Sequence, residues 1–130
     1  NKYHSVIVNI SSDLGIIAPD QRIYNSNEED KTIKRQVKPI TYSIIKSGLI
    51  GMTKYFATYF EGKIRSNALC PGGVINNQKS EFIEKVNNLI PLGRLAHKDE
   101  YRGAIVFLLS DASSYMNGSI ISIDGGRTSW

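Results

Sequence analysis

Ile64-Arg65-Ser66-Asn67-Ala68-Leu69-Cys70-Pro71-Gly72-Gly73-Val74 decides the fold. Residues 64–69 read as a buried strand, and Cys70-Pro71-Gly72-Gly73-Val74 stops it. Before it, residues 41–60 carry Ile45, Leu49, Met52, Phe56 and Tyr59 at three- and four-residue steps, the core stripe of a long helix. Gly62 suits the end of that helix, and Gly48 and Gly51 would let its backbone approach the sheet or a partner helix. Further upstream, Ser5-Val6-Ile7-Val8-Asn9-Ile10 is a short β-branched run ending in Ser11-Ser12, a second buried strand. Downstream, residues 78–89 form a short amphipathic helix with Phe82, Val86 and Leu89 apolar, and Pro91-Leu92-Gly93-Arg94 makes a turn. A helix over 98–109 opens on Asp99-Glu100, charges that suit a helix N-terminus, and shows Ile105, Leu108 and Leu109 on its apolar face. Residues 119–123 are a last strand closed by Gly125-Gly126. Strands alternating with helices predict an α/β fold with a parallel sheet.

Composition bounds the function. A chain of 130 residues can bury one core. Hydrophobic content of 41% and charged content of 22% are ordinary for a soluble globular protein. No run approaches a membrane span. One cysteine excludes an internal disulfide framework; Cys70, with no basic neighbour in sequence, reads as a small buried hydrophobe. The net charge of +4 invites a nucleic-acid reading. The densest basic stretch, Lys31, Lys34, Arg35 and Lys38, follows Glu28-Glu29-Asp30 and has no interleaved aromatic to stack a base, so it reads as a solvated mixed-charge loop. His4 and His97 have no second ligand at metal spacing, and no metal site is predicted.

The chemistry sits in Thr41-Tyr42-Ser43-Ile44-Ile45-Lys46-Ser47-Gly48. Tyr42 and Lys46 lie one helical turn apart on one face. A phenol titrates near ~10 in isolation, and a neighbouring ammonium favours its phenolate. Such a phenol can exchange a proton with a substrate oxygen near neutral pH, which suits carbonyl reduction or its reverse. The spacing alone is common on amphipathic rims. Its context is not: in open α/β sheets ligands bind outside the carboxyl ends of the strands, where Ser11-Ser12, Pro71-Gly72 and the start of this helix would meet. Asp13, beside Ser12, suits a turn or cap role as well as a substrate contact. Arg65 and Asn67 read as structural.

These pieces resemble one family. Val8-Asn9-Ile10-Ser11-Ser12, Tyr42 to Gly48, Ile64 to Gly72, Pro91-Leu92-Gly93-Arg94, Phe107-Leu108-Leu109-Ser110-Asp111-Ala112-Ser113-Ser114-Tyr115 and Asn117-Gly118-Ser119-Ile120-Ile121-Ser122-Ile123-Asp124-Gly125-Gly126 run in the order of the C-terminal part of a short-chain dehydrogenase/reductase. The chain looks most similar to bacterial flagellin and surface-glycan modification reductases. The resemblance implies a doubly wound, Rossmann-like domain and NAD or NADP as cofactor. It makes Tyr42 the acid/base, Lys46 its electrostatic partner and ribose contact, and Ser12 the hydrogen-bonding partner of the substrate oxygen. It implies that Pro71, Gly72, Gly73 and Val74 line the nicotinamide. Where family members usually carry a Thr, two residues past Val74, this chain has Asn76. It implies a small-molecule substrate, plausibly a sugar derivative, a cytoplasmic setting, no nucleic acid or membrane partner, and a homo-oligomer, dimer or tetramer, at full length.

The chain begins Asn1-Lys2-Tyr3-His4 and contains no glycine-rich pyrophosphate loop. Residues 1–130 are therefore expected to be the C-terminal catalytic part of a single domain whose dinucleotide-binding part is missing, inactive in isolation. Ser12 and Tyr42 stand about 30 positions apart, against about a dozen usual in the family, so residues 18–38 are an insertion, a length that marks function or disorder. It is expected to wall the substrate site; Tyr24 within it is either a substrate contact or an exposed loop residue. Two other readings compete with the oxidoreductase: a non-catalytic remnant or oligomerisation module, and a hydrolase with Ser12 activated by Lys46, which lacks the Gly-x-Ser-x-Gly elbow.

Overall fold

A computed structural model describes residues 5–25 and 36–130. Three parallel strands, β1 (Ser5–Ile10), β2 (Ile64–Pro71) and β3 (Ile120–Ile123), lie in the order β1-β2-β3. Ile10 pairs with Leu69 and Cys70 with Ser122, so the strands finish along one edge of the sheet. The crossovers are helical. α1 (Ile40–Tyr59) joins β1 to β2, and α2 (Ser80–Asn87) and α3 (Arg102–Leu109) join β2 to β3. This is the expected α/β arrangement of a doubly wound sheet.

The central strand is buried continuously from Arg65 to Cys70, as a strand covered on both faces must be. Arg65 and Asn67 find partners, whereas the buried Ser66 hydroxyl has none among the described residues. The Arg65 guanidinium donates to the carbonyls of Met116 at 3.1 Å, Ser110 at 3.3 Å and Leu108 at 3.4 Å. Asn67 donates to Met116 O at 3.0 Å and accepts from Ser119 N–H at 3.0 Å. Both hold the loop before β3, the structural role expected of them. Cys70 is fully buried, and burial pushes its thiol pKa up, as befits an inert small side chain.

The face of α1 differs from the expected stripe. Ile45 and Tyr59 are 59% and 62% exposed, whereas Thr53 is fully buried. The sheet-facing side is chosen by polar fit: Asn9 of β1 donates its amide to Thr53 Oγ1 at 2.9 Å, and Ser11 Oγ donates to the Lys46 carbonyl at 2.7 Å. A helix this apolar all round gives periodicity little to select. A Cβ built on Gly48 or Gly51 would meet nothing within 4 Å among the described residues, so neither is what lets α1 approach the sheet. Gly62, at φ 78°, does close the helix end.

A second core lies beyond β2. Ile23, Val86, Ile90 and Leu95 are buried together, with Tyr24, Phe82, Ile83 and Leu89 packed against them. Ile23 and Tyr24 belong to a 3-10 turn, Gln21–Tyr24, capped by Asp20, whose carboxylate accepts from Arg22 N–H at 3.0 Å. Part of the insertion is thus core, and Tyr24 is a half-buried residue whose ring lies tilted against Phe82, centroids 5.7 Å apart, rather than an exposed one. The charge run 28–35 lies outside the described residues. α2 is shorter than the expected 78–89. The 98–109 helix opens as a 3-10 turn, Lys98–Tyr101, with the Glu100 carboxylate accepting from His97 N–H. Of its expected face, Leu108 is fully buried but Leu109 is 54% exposed.

Candidate active site

The carboxyl edge of the sheet gathers the expected residues. β1 ends at Ile10, and the chain turns at once into a 3-10 turn, Asp13–Gly15, with Ser12 as its N-cap. The Ile10 carbonyl, pointing out past the last ladder bond, accepts from Lys46 Nζ at 3.0 Å. Ser47 Oγ donates to Gly15 O at 3.0 Å. With the Ser11–Lys46 bond, the first turns of α1 are sewn to the end of β1. A Cβ on Gly15 would lie 2.9 Å from the Lys46 backbone, so this glycine is what lets the two segments touch.

Lys46 Nζ stands 5.7 Å from the Tyr42 ring centroid. The i, i+4 spacing therefore places ammonium and phenol side by side. Lys46 Nζ bonds Ile10 O and not Ser12 Oγ, which removes the contact a serine hydrolase would need. Ser12 is buried. Its hydroxyl donates to Asp13 Oδ1 at 2.8 Å and accepts from Leu14 N–H at 3.2 Å. Asp13 Oδ1 accepts from Leu14 N–H as well, at 2.7 Å, so Asp13 shares the turn role with the N-cap Ser12 and, in addition, takes its proton.

Asp13 has a further neighbour. Its Oδ2 makes no hydrogen bond among the described residues and lies 3.7 Å from Arg127 Nε, with both side chains more than nine-tenths buried. Arg127 follows Asp124, whose carboxylate accepts from Gly126 N–H, Thr128 N–H and Thr128 Oγ1. Burial opposes the charge on Asp124, but these bonds hold its pKa below the usual carboxylate value. Tyr24 lies within electrostatic reach of Arg127, Asp13, Tyr42 and Asp20, and burial raises its pKa. Tyr24 thus brings the start of the insertion near Asp13 and Tyr42.

After β2, Gly72 N–H donates to Ile123 O at 2.9 Å, Ala96 N–H to Gly73 O at 3.0 Å, and Tyr101 Oη to Gly72 O at 3.0 Å. A Cβ on Gly72 would come within 2.8 Å of Asp124 Cα, and one on Gly73 within 2.6 Å of Leu95. The glycines are needed for packing behind the loop. The loop's outward groups fit a nicotinamide: Val74 pairs with Ala96 through its neighbours' bonds, and its own N–H has no partner among the described residues. Lys46 Nζ has one acceptor for three protons. Asn76 is exposed, and its N–H is taken by Gln78 Oε1 at 2.6 Å. Among the described residues no group of three His, Cys, Asp or Glu side chains could hold a metal, and no helix is long and apolar enough to cross a membrane.

The family described as enoyl-(acyl carrier protein) reductase matches residues 24–128. A short-chain dehydrogenase from Leptospira borgpetersenii, solved with bound NAD+, superposes with a TM-score of 0.84 at 37% identity, over 98% of this chain and 46% of that one. The chain belongs to the short-chain dehydrogenase/reductase family. Among other short-chain relatives, an uncharacterized oxidoreductase of Thermotoga maritima is 35% identical over 95% of this chain and 47% of its own length. The post-translational flagellin modification protein A of Campylobacter coli is 32% identical over 92% of this chain and 44% of its own. The chain spans about half the length of these relatives.

One functional candidate escaped sequence reading. Lys38 Nζ sits 3.9 Å from the Tyr42 ring centroid. No sequence signal marked it, because Lys38 lies before α1 and is held by the distant Gln21.

Proposed function

We propose that residues 1–130 are the C-terminal catalytic part of a Rossmann-like oxidoreductase that interconverts a secondary alcohol and a ketone with NAD or NADP. The observation that carries this is the placement of Lys46, bonded to the Ile10 carbonyl at the end of β1 and beside the Tyr42 ring. Tyr42 would hold the proton exchanged with the substrate oxygen. Lys46 would favour the phenolate by its charge and offer its two unpaired protons to the ribose. Ser12 would turn its hydroxyl from Asp13 to the substrate oxygen. Pro71, Gly72, Gly73 and Val74 would line the nicotinamide, with Val74 N–H turned to the carboxamide. When bound, the nicotinamide gives or takes the hydride. Relatedness to a flagellin modification protein and the charged, hydroxyl-rich surroundings of Ser12 favour a sugar derivative, in surface-glycan synthesis in the cytoplasm. A homo-oligomer, dimer or tetramer, is proposed for the full-length protein on family grounds.

The test is Tyr42→Phe in the full-length protein that carries this chain. Turnover should fall on the order of 100-fold or more, with nucleotide affinity nearly unchanged. Turnover comparable to wild type would reject the acid/base assignment.

A further inference from the structure

We propose that Lys38, supplied by the insertion, is a second catalytic cation on Tyr42, stabilising its phenolate from the ring face. The inference rests on the acid/base reading of Tyr42 above.

Three observations carry it. First, the Lys38 ammonium is the nearer of the two cations, 3.9 Å from the ring centroid against 5.7 Å for Lys46. Cations over an aromatic face are held by its π electrons, and a phenolate strengthens that pull by adding a negative charge that its oxygen shares with the ring. Second, this placement is built, not a consequence of helix spacing. Lys38 precedes α1 and its N-cap Pro39, which is extended at φ −61°, ψ 141°. What fixes Lys38 is Gln21, whose Oε1 accepts from Lys38 N–H at 2.8 Å and whose Nε2 donates to Lys38 O at 3.2 Å. Gln21 in turn starts the 3-10 turn whose Ile23 is locked in the second core. The chain of restraint runs from core to Gln21, to the Lys38 backbone, to the Tyr42 ring. Third, two ammonium groups around one neutral ring repel each other; the arrangement becomes favourable when the ring carries a negative charge.

Tyr24, within electrostatic reach of Tyr42, and the carboxylates around Tyr24 do not offset this. Tyr24, from the 3-10 turn, is held neutral by burial, which raises its pKa. The carboxylate of Asp13 is partnered with Ser12, Leu14 N–H and the nearby Arg127. Asp20 is bound by Arg22 through three contacts of 2.7–3.2 Å.

The sign follows. In alcohol oxidation the phenolate is the base, so the rate rises as Tyr42 loses its proton. Removing a cation from its ring disfavours the phenolate and moves that rise to higher pH. For one charge beside the ring in a solvated cleft, the midpoint should move up by roughly half to one pH unit, on the order of three- to tenfold in rate below the midpoint. The experiment measures pH profiles of kcat and kcat/KM for the full-length protein and for Lys38→Met, Lys38→Arg and Gln21→Ala. Spectrophotometric titration of the tyrosine phenolates accompanies them, with Tyr42→Phe marking the contribution of Tyr42.

Lys38→Met should raise the midpoint in both readouts, Lys38→Arg should restore it, and Gln21→Ala, which keeps the lysine but frees its backbone, should give part of the shift. An unmoved midpoint in Lys38→Met overturns the proposal. So does a change confined to KM, which would make Lys38 a substrate-binding side chain, and so does equal loss in Lys38→Arg and Lys38→Met. Failure of the underlying reading is separately visible: in that case Tyr42→Phe itself keeps turnover.

Discussion

Thr53→Val is the sharpest probe of how the site is held in place. Thr53 is fully buried at the middle of α1, and its Oγ1 accepts the Asn9 amide from β1 at 2.9 Å. Valine keeps the branched shape, so little cavity forms, but the acceptor disappears. Asn9, itself nearly buried, then holds an amide donor with no partner. Leaving such a group unsatisfied costs about 1–3 kcal/mol. Urea unfolding of the full-length protein should show a lower midpoint at an unchanged m-value. The companion variants are Asn9→Ala and the double substitution. Because both residues serve one bond, the double should cost less than the sum of the singles, by roughly 1 kcal/mol. A loss below about 0.5 kcal/mol in Thr53→Val, within the usual range of surface changes, would refute the argument. So would strict additivity. Either result would mean that the Asn9–Thr53 bond does not help to seat α1, which carries Tyr42 and Lys46, and that the bonds at its first turns and its packing do so.

Three further outcomes are expected. Lys46→Met should lower turnover and weaken nucleotide binding together, since it removes both the charge beside Tyr42 and the donors offered to the ribose; a loss of turnover with unchanged nucleotide affinity by calorimetry would separate the two roles and discard the second. The Glu100 carboxyl has its pKa depressed to about 2, chiefly by the Arg94 guanidinium and then by His97 N–H. Its stabilisation is therefore present above the ordinary Glu value near ~4.3 and is lost as pH falls through about 2; in Arg94→Met, carbon-detected NMR titration should find it raised but still below ~4.3, and an unchanged value would deny the ion pair. Ile23→Ala should destabilise by about 2–4 kcal/mol, the cost of a truncated core side chain, while removal of residues 26–35 alone should alter substrate preference more than stability; equal kcat/KM across a substrate panel would return that stretch to decoration.

How much of this was legible depends on the residue. β1 was readable to its last residue because Ser11-Ser12 follows a run of β-branched side chains, and the stop after β2 because proline and two glycines end it. The Tyr42–Lys46 pair was readable because helix geometry alone fixes i against i+4. What escaped was set by tertiary contact. The buried side of α1 was chosen by Thr53 and Asn9, a polar match across 44 residues that no hydrophobic period reports. Ile23 sat in a polar segment, and only its partners Val86, Ile90 and Leu95 make it core. The proton of Ser12 goes to Asp13, its immediate neighbour, yet whether that aspartate caps, binds or both depends on Arg127 at the far end of the chain.

The two bonds between Gln21 and Lys38 span 17 positions and tie the segment off at its base. Whatever lies beyond such a neck can lengthen or change with little effect on its roots, because doubling a flexible loop adds only about 0.6 kcal/mol of closure cost. The neck thus separates two kinds of variation. Gln21, Ile23 and Lys38 are held by the core and by one another; under the proposed function, only the stretch 26–35 would be left to vary with the substrate. On that reading, exchanging it would change what is bound while Lys38 and Tyr42 stay where they are.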